Sequence, residues 1–146
     1  MVHALEEIHR LLRPVGTLIE IHPALEVPFA EVRSNGELLF SERDPGFDYG
    51  DDLQHAEDAL AAVVDRGVFI LEQSRRFELP IHTPSVKELR DHWAVSEAYD
   101  REEKEESLAR RQDEMFARVH DILERSPGAE LVYVEPATMS RLTPAG

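Results

Sequence analysis

The chain has 146 residues and carries 30 acidic against 16 basic side chains, a formal net charge of −14. A surface of that sign repels phosphate backbones, which argues against nucleic acid as a partner. Zero cysteines exclude disulfides and thiolate metal sites, and no apolar run approaches the roughly 18 residues of a membrane helix. With no signal pattern at the N-terminus, we expect a single domain over residues 1–146, in the cytoplasm and without a membrane partner.

The first predicted element is an amphipathic helix followed by a short strand. The apolar residues of its inner face recur at helical spacing: Leu5, Ile8, Leu11 and Leu12. Arg13-Pro14 ends the helix, because the residue before a proline is disfavoured in the helical region. Gly16 then allows a tight turn into an apolar strand over Thr17–Ile21.

A hairpin and a second helix are predicted next. Asn35-Gly36 separates two strand-like runs, 29–34 and 37–41, and Asn-Gly favours a type I′ turn with positive φ at both positions. The loop after the hairpin is acidic (Asp44, Asp48, Asp51 and Asp52). It lacks the spacing of a calcium loop, so we interpret it as solvated, with a cap for a helix that runs to about Arg66.

The second half of the chain is predicted to form a long strand, a long helical segment and a last strand. Val68 begins a strand that continues through Phe77 to His82, and Thr83-Pro84 is a typical helix start. The helical pattern extends to about Ser126, with a break expected near Tyr99-Asp100. Leu131–Glu135 is the predicted final strand, ending before Pro136.

The opening segment, ALEEIHRLLRPVGTLIEI over residues 4–21, resembles the "ALxEixRvLrPGGxLvi" motif of class I, Rossmann-like S-adenosylmethionine-dependent methyltransferases. Val15 stands where that family usually has a glycine. The resemblance implies a partial α/β fold, the C-terminal part of a methyltransferase sheet with strands in the order 5-7-6. Thr17–Ile21 would be the fifth strand, Val68–Phe77 the sixth and Leu131–Glu135 the seventh, antiparallel to the others. The hairpin and residues 84–126 would be insertions, the latter a helical lid.

The same resemblance implies transfer of a methyl group from S-adenosylmethionine to a small molecule. Such enzymes hold the cofactor with a Gly-rich turn and an acidic residue in their first half, and this chain contains no Gly-x-Gly. S-adenosylmethionine is therefore a cofactor by resemblance alone, and no cofactor-binding residue is expected here. We expect the chain alone to be incomplete or inactive, either because its start is truncated or because it pairs with a separate N-terminal half.

Four residues are candidates for a site. His22 lies at the carboxyl end of a predicted strand, where α/β folds place ligands, and a neutral imidazole there could be a general base; a hydrogen bond to backbone is the alternative. His82 ends the other long strand, and Trp93 and Tyr99 are the predicted substrate contacts of the lid, with burial in the core as the alternative. The seven histidines lack the spacing of metal ligands, so no metal is expected.

Two other functions stay open. The chain could be a non-catalytic half-domain that self-associates, because the strand at 17–21 would leave an unpaired apolar edge. A homodimer joined at that edge would rebuild a sheet of about six strands. The third possibility is an unrelated α+β ligand-binding domain.

Overall fold

The structure is a computed structural model that describes residues 1–48, 50–97 and 105–146. Over these ranges it is a mixed α/β protein with four helices and one open antiparallel sheet of five strands. The elements in chain order are α1 (Val2–Leu11), β1 (Leu18–Pro23), β2 (Phe29–Ser34), β3 (Glu37–Arg43), α2 (Gly50–Asp65), β4 (Phe69–Thr83), α3 (Val86–Glu97), α4 (Glu106–Arg125) and β5 (Glu130–Pro144). None of the helices described is both long and apolar enough to span a bilayer.

The residues divide into two compact units. The first unit contains Met1–Glu26, Tyr49–Glu78 and Pro136–Gly146, and the second contains Val27–Asp48 and Leu79–Glu135. The long strands β4 and β5 contribute residues to both. The helices α3 and α4, expected as an insertion over 84–126, belong to the second unit. The single-domain organisation expected for residues 1–146 stays a prediction.

In the first unit β5 lies between β1 and β4. β1 runs antiparallel to β5, with Leu18 opposite Leu142 and Pro23 opposite Ala137. The predicted end of the last strand at Glu135 is wrong, because β5 continues through Pro136 to Pro144. A proline fixes φ and removes the backbone donor but keeps the acceptor, and the Pro136 carbonyl accepts a hydrogen bond from the Ala24 amide at 2.8 Å.

One face of this part of the sheet is covered by α1 and α2. Its core contains Leu5, Leu60, Val63, Phe69 and Leu142. Successive residues of a strand point to opposite faces, so β1 directs Leu18, Glu20 and His22 to the covered side. Ile19 and Ile21 lie on the other side and are 51% and 59% exposed.

The second unit is built on a hairpin. Asn35 and Gly36 have φ values of 49° and 82°, which confirms the Asn-Gly turn between β2 and β3. β2 also pairs with the first part of β5, with Phe29 opposite Val134 and Arg33 opposite Glu130. Helices α3 and α4 supply the apolar side chains that close the core, among them Leu89, Met115, Phe116 and Val119. The break predicted near Tyr99-Asp100 lies outside the described residues.

Candidate functional site

A buried histidine between two carboxylates forms the most distinctive polar group of the first unit. His22 is 7% exposed and lies near the end of β1. Its Nδ1 is 2.7 and 2.9 Å from the two carboxylate oxygens of Glu20, and its Nε2 is 3.1 Å from Glu57 Oε1 on α2. The hydrogen bond to backbone that we considered for His22 is therefore replaced by two side-chain carboxylates.

The local sequence explains half of this arrangement. Glu20 and His22 are two residues apart on one strand, so their side chains point to the same face. Glu57 comes from the inward side of α2, and its side chain is 32% exposed, against 16% for Glu20. Glu57 is therefore the member of the cluster most accessible to water.

The two carboxylates decide the protonation of the imidazole. An ionised carboxylate only accepts hydrogen bonds, so both ring nitrogens of His22 must donate, which requires the imidazolium form. Burial is the largest single influence and lowers the pKa of His22, but the hydrogen bonds and negative charges of Glu57 and Glu20 together raise it above its ordinary value of 6.5. This direction works against the neutral imidazole that a histidine general base needs, and the catalytic role of His22 stays a prediction.

Two hydroxyls of β5 extend the polar group. The register places Thr138 opposite His22 and Ser140 opposite Glu20. Both are buried, and Ser140 Oγ donates to Ser74 Oγ at 3.3 Å. Thr138 Oγ1 has no hydrogen-bond partner among the described residues. A buried hydroxyl without a partner costs free energy. Thr138 therefore offers an unused donor and acceptor on the strand position opposite His22.

His82 and Trp93 lie in the second unit, and His22 lies in the first. The His82 ring is half exposed and its Nδ1 is 3.1 Å from Glu130 Oε1. The Trp93 ring packs edge-on against Phe116 and Tyr133, with centroids 5.6 and 4.8 Å apart. These contacts place Trp93 against the core, while its role as a substrate contact stays a prediction. Tyr99 lies outside the described residues.

A second buried carboxylate, Asp44, was missed by our interpretation of its loop as solvated. Asp44 is 4% exposed. It accepts hydrogen bonds from the Gly46 amide at 2.7 Å, from Gln112 Nε2 at 2.7 Å and from the Tyr133 hydroxyl at 2.7 Å. The sequence signal was Asp44-Pro45-Gly46, since an aspartate at the start of a turn often binds a backbone amide two residues on. With its donors supplied by the fold, this carboxylate ties the loop to α4 and β5.

The imidazolium of His22 is already engaged on both sides, by Glu20 and by Glu57. S-adenosylmethionine as a cofactor stays a prediction. Within residues 1–48, 50–97 and 105–146, no three histidine or acidic side chains are arranged to hold a metal ion. The cluster is suited to holding and moving a proton.

Comparison of the chain with protein-family models, with curated proteins and with solved structures found no match.

Proposed function

We propose that this chain is the C-terminal part of a Rossmann-like, S-adenosylmethionine-dependent methyltransferase that acts on a small molecule. The observation that carries the proposal is the arrangement of β1, β5 and β4, in which the last strand lies between the other two and runs opposite to β1. This arrangement supports the 5-7-6 order that the LRPVG-containing opening segment implies. The cofactor is held by a first half outside residues 1–146.

The outer edge of β1 is the proposed docking position for that half. Among the described residues β1 pairs only with β5, so one row of its backbone groups is free. An unpaired edge attracts a further strand. The face beside it that α1 and α2 leave uncovered exposes the apolar side chains Ile19, Ile21 and Met139, with Arg141 opposite Ile19. In a sheet of the Rossmann type both faces are covered, so a first half would bury this surface as well.

The chain's own chemical contribution is the proton chemistry of the His22 cluster. An oxygen or nitrogen acceptor loses one proton when it is methylated, and a nearby base must take it. Two carboxylates that share one imidazolium leave the cluster with one net negative charge. Glu57, the more exposed carboxylate, is the member that receives the proton, and His22 holds it in position.

Calorimetric titration with S-adenosylmethionine tests this proposal. The chain alone should not bind the cofactor, whereas the polypeptide that includes the residues encoded in frame before Met1 should bind it at micromolar level. Micromolar binding by the chain alone would contradict the assignment of the cofactor to another half. An upstream frame without a strand and Gly-rich turn, together with no binding, would count against a methyltransferase.

The exposed apolar face also favours a second candidate, a non-catalytic half-domain that self-associates through β1. Ile19, Ile21 and Met139 would then be buried against a second copy. This alternative predicts a homodimer that disappears when Ile21 is replaced by lysine, and no binding of S-adenosylmethionine in any context. Size-exclusion chromatography of the wild-type protein and of Ile21→Lys distinguishes this alternative from the enzyme.

A further inference from the structure

Strand β4 pairs with β5 on the side away from β1, and its own outer edge is exposed. It has 15 residues, well above the usual strand length of about 3–10. Among the described residues it pairs only with β5. Every residue from Ile70 to Arg76 is exposed, including Ile70 at 54% and Leu71 at 42%. A long edge with apolar side chains is a template for pairing with another strand.

The charge of this edge differs from the average of the chain. Residues 69–78 contain two glutamates and two arginines, hence no net charge, in a chain whose net charge is −14. Copies of an acidic protein repel each other over most of their surface. At a neutral segment a second copy meets less repulsion than it meets over the surface on average.

We propose that two copies of this chain associate through β4, paired as antiparallel strands about a two-fold axis at Ser74. Such an axis, perpendicular to the sheet, keeps each side chain on its own face and pairs residues at equal distances from the centre. Glu72 then lies opposite Arg76 of the second copy, and Leu71 lies opposite Phe77. Each pair occurs twice. Cross-strand pairs of opposite charge and apolar pairs are the contacts that stabilise a sheet.

Neighbouring registers are less favourable. A centre at Arg75 places Glu72 opposite Glu78, a like-charge pair. A centre at Phe77 places Pro80, which has no amide hydrogen, opposite Ser74. A centre at Gln73 leaves the four charges without a charged residue opposite, and a centre at Arg76 places Arg76 opposite Arg76 of the second copy, a like-charge pair. Ser74 is therefore the centre at which charge and apolar pairing agree.

The charged side chains are already positioned within each copy. Glu72 forms an ion pair with Arg141, whose Nε lies 3.0 Å from Oε2, and accepts a hydrogen bond from the Thr143 hydroxyl at 3.3 Å. Arg76 forms an ion pair with Glu26. A partner strand would extend these pairs into networks, which are worth more than isolated surface pairs. The inference does not depend on the proposed methyltransferase activity, since it uses the edge opposite to the one proposed for the first half.

Disulfide trapping tests the register directly, because the chain has no cysteine of its own. Residues directly opposite in an antiparallel pair have Cα atoms about 4.5–5.5 Å apart, within the range of a disulfide. Under mild oxidation Ser74→Cys should give a covalent dimer as the main product. Gln73→Cys is the matched control, because it faces residue 75 of the second copy and should give only background cross-linking. Equal cross-linking by both variants would overturn the register.

Sedimentation velocity of charge variants tests the interface itself. Glu72→Arg and Arg76→Glu should each raise the dimer dissociation constant roughly 10-fold or more, since the dimer gains two like-charge pairs. An equimolar mixture of the two variants should restore a dimer, because every facing pair is then of opposite sign. Glu78→Arg makes the same charge change opposite Ile70 and should alter the constant less than about threefold.

Three results would overturn the proposal. The first is a wild-type protein that stays monomeric up to about 1 mM, the weak limit of a specific complex. The second is a dimer that Glu72→Arg and Glu78→Arg weaken equally. The third is a dimer lost in Ile21→Lys but kept in Glu72→Arg, which would assign the contact to β1. If either charge variant fails to fold, the cysteine variants still decide the question.

Discussion

Replacement of His22 by glutamine removes the positive charge between Glu20 and Glu57 while keeping a side chain of similar length. The histidine makes a hydrogen bond to each carboxylate, at 2.7 and 3.1 Å. A hydrogen bond to a charged group contributes about 1.5–3 kcal/mol. A glutamine amide can still donate to one carboxylate, and the partial exposure of both carboxylates reduces the effect. We therefore expect the free energy of unfolding to fall by about 2 kcal/mol, or roughly 4–8 °C in Tm for a chain of this size.

The pH dependence of this loss follows from the raised pKa of His22. A group whose folded pKa lies above its unfolded value stabilises the fold fully below the unfolded value of 6.5. That stabilisation is lost as the pH rises through the folded value. Urea denaturation followed by far-UV circular dichroism should thus show the full difference between wild type and His22→Gln near about pH 6, and a much smaller difference near about pH 9.

A control variant and the choice of probe make the experiment decisive. Glu57→Gln alone should also destabilise the fold near about pH 6, and its effect should not add to that of His22→Gln because the two residues share one contact. Trp93, the single tryptophan, lies in the other unit, so circular dichroism is the appropriate probe. A difference that is the same at both pH values, or additive effects of the two substitutions, would refute the imidazolium between two carboxylates.

Three further substitutions give shorter tests. Burial raises the pKa of Glu135, so wild-type stability should fall as the pH rises through the folded value, and Glu135→Gln should raise Tm near about pH 7 but not below about pH 4. Tyr133→Phe removes the hydroxyl that donates to Asp44 and should cost about 1–1.5 kcal/mol in urea denaturation followed by Trp93 fluorescence; an unchanged midpoint would contradict that contact. Ile21→Lys should leave the circular dichroism spectrum unchanged and block docking at β1, measured as lost binding of a first half or of a second copy there.

Local rules predicted the elements whose conformation is set by a few neighbouring residues. The helix expected up to about Arg66 is α2 (Gly50–Asp65), and the turn at Asn35-Gly36 has the two positive φ values that its residues favour. These features depend on backbone preferences and capping, which act over a few residues. The predicted end of the last strand was wrong for the opposite reason. Its length is set by pairing with β1, and a single proline did not outweigh six paired positions.

The candidate site was predictable in part. The position of His22 at a strand end was read from the sequence, and Glu20 could have been added because residues two apart share a face of a strand. Glu57 is 35 positions away, and nothing in the local pattern indicates that α2 brings it to the imidazole. The burial of Asp44 likewise depends on α4 and β5, so an acidic loop looked solvated. Contacts between elements far apart in the sequence determine both the position of Glu57 and the burial of Asp44.

Methyl transfer itself is the most direct test of the proposed function. The polypeptide that includes the residues encoded before Met1 should be incubated with S-adenosylmethionine labelled in the methyl group and with the small-molecule fraction of a cell extract. We predict a labelled small product that is absent when residues 1–146 are removed and reduced by His22→Gln. No labelled product from the longer polypeptide, or equal labelling without residues 1–146, would contradict the account.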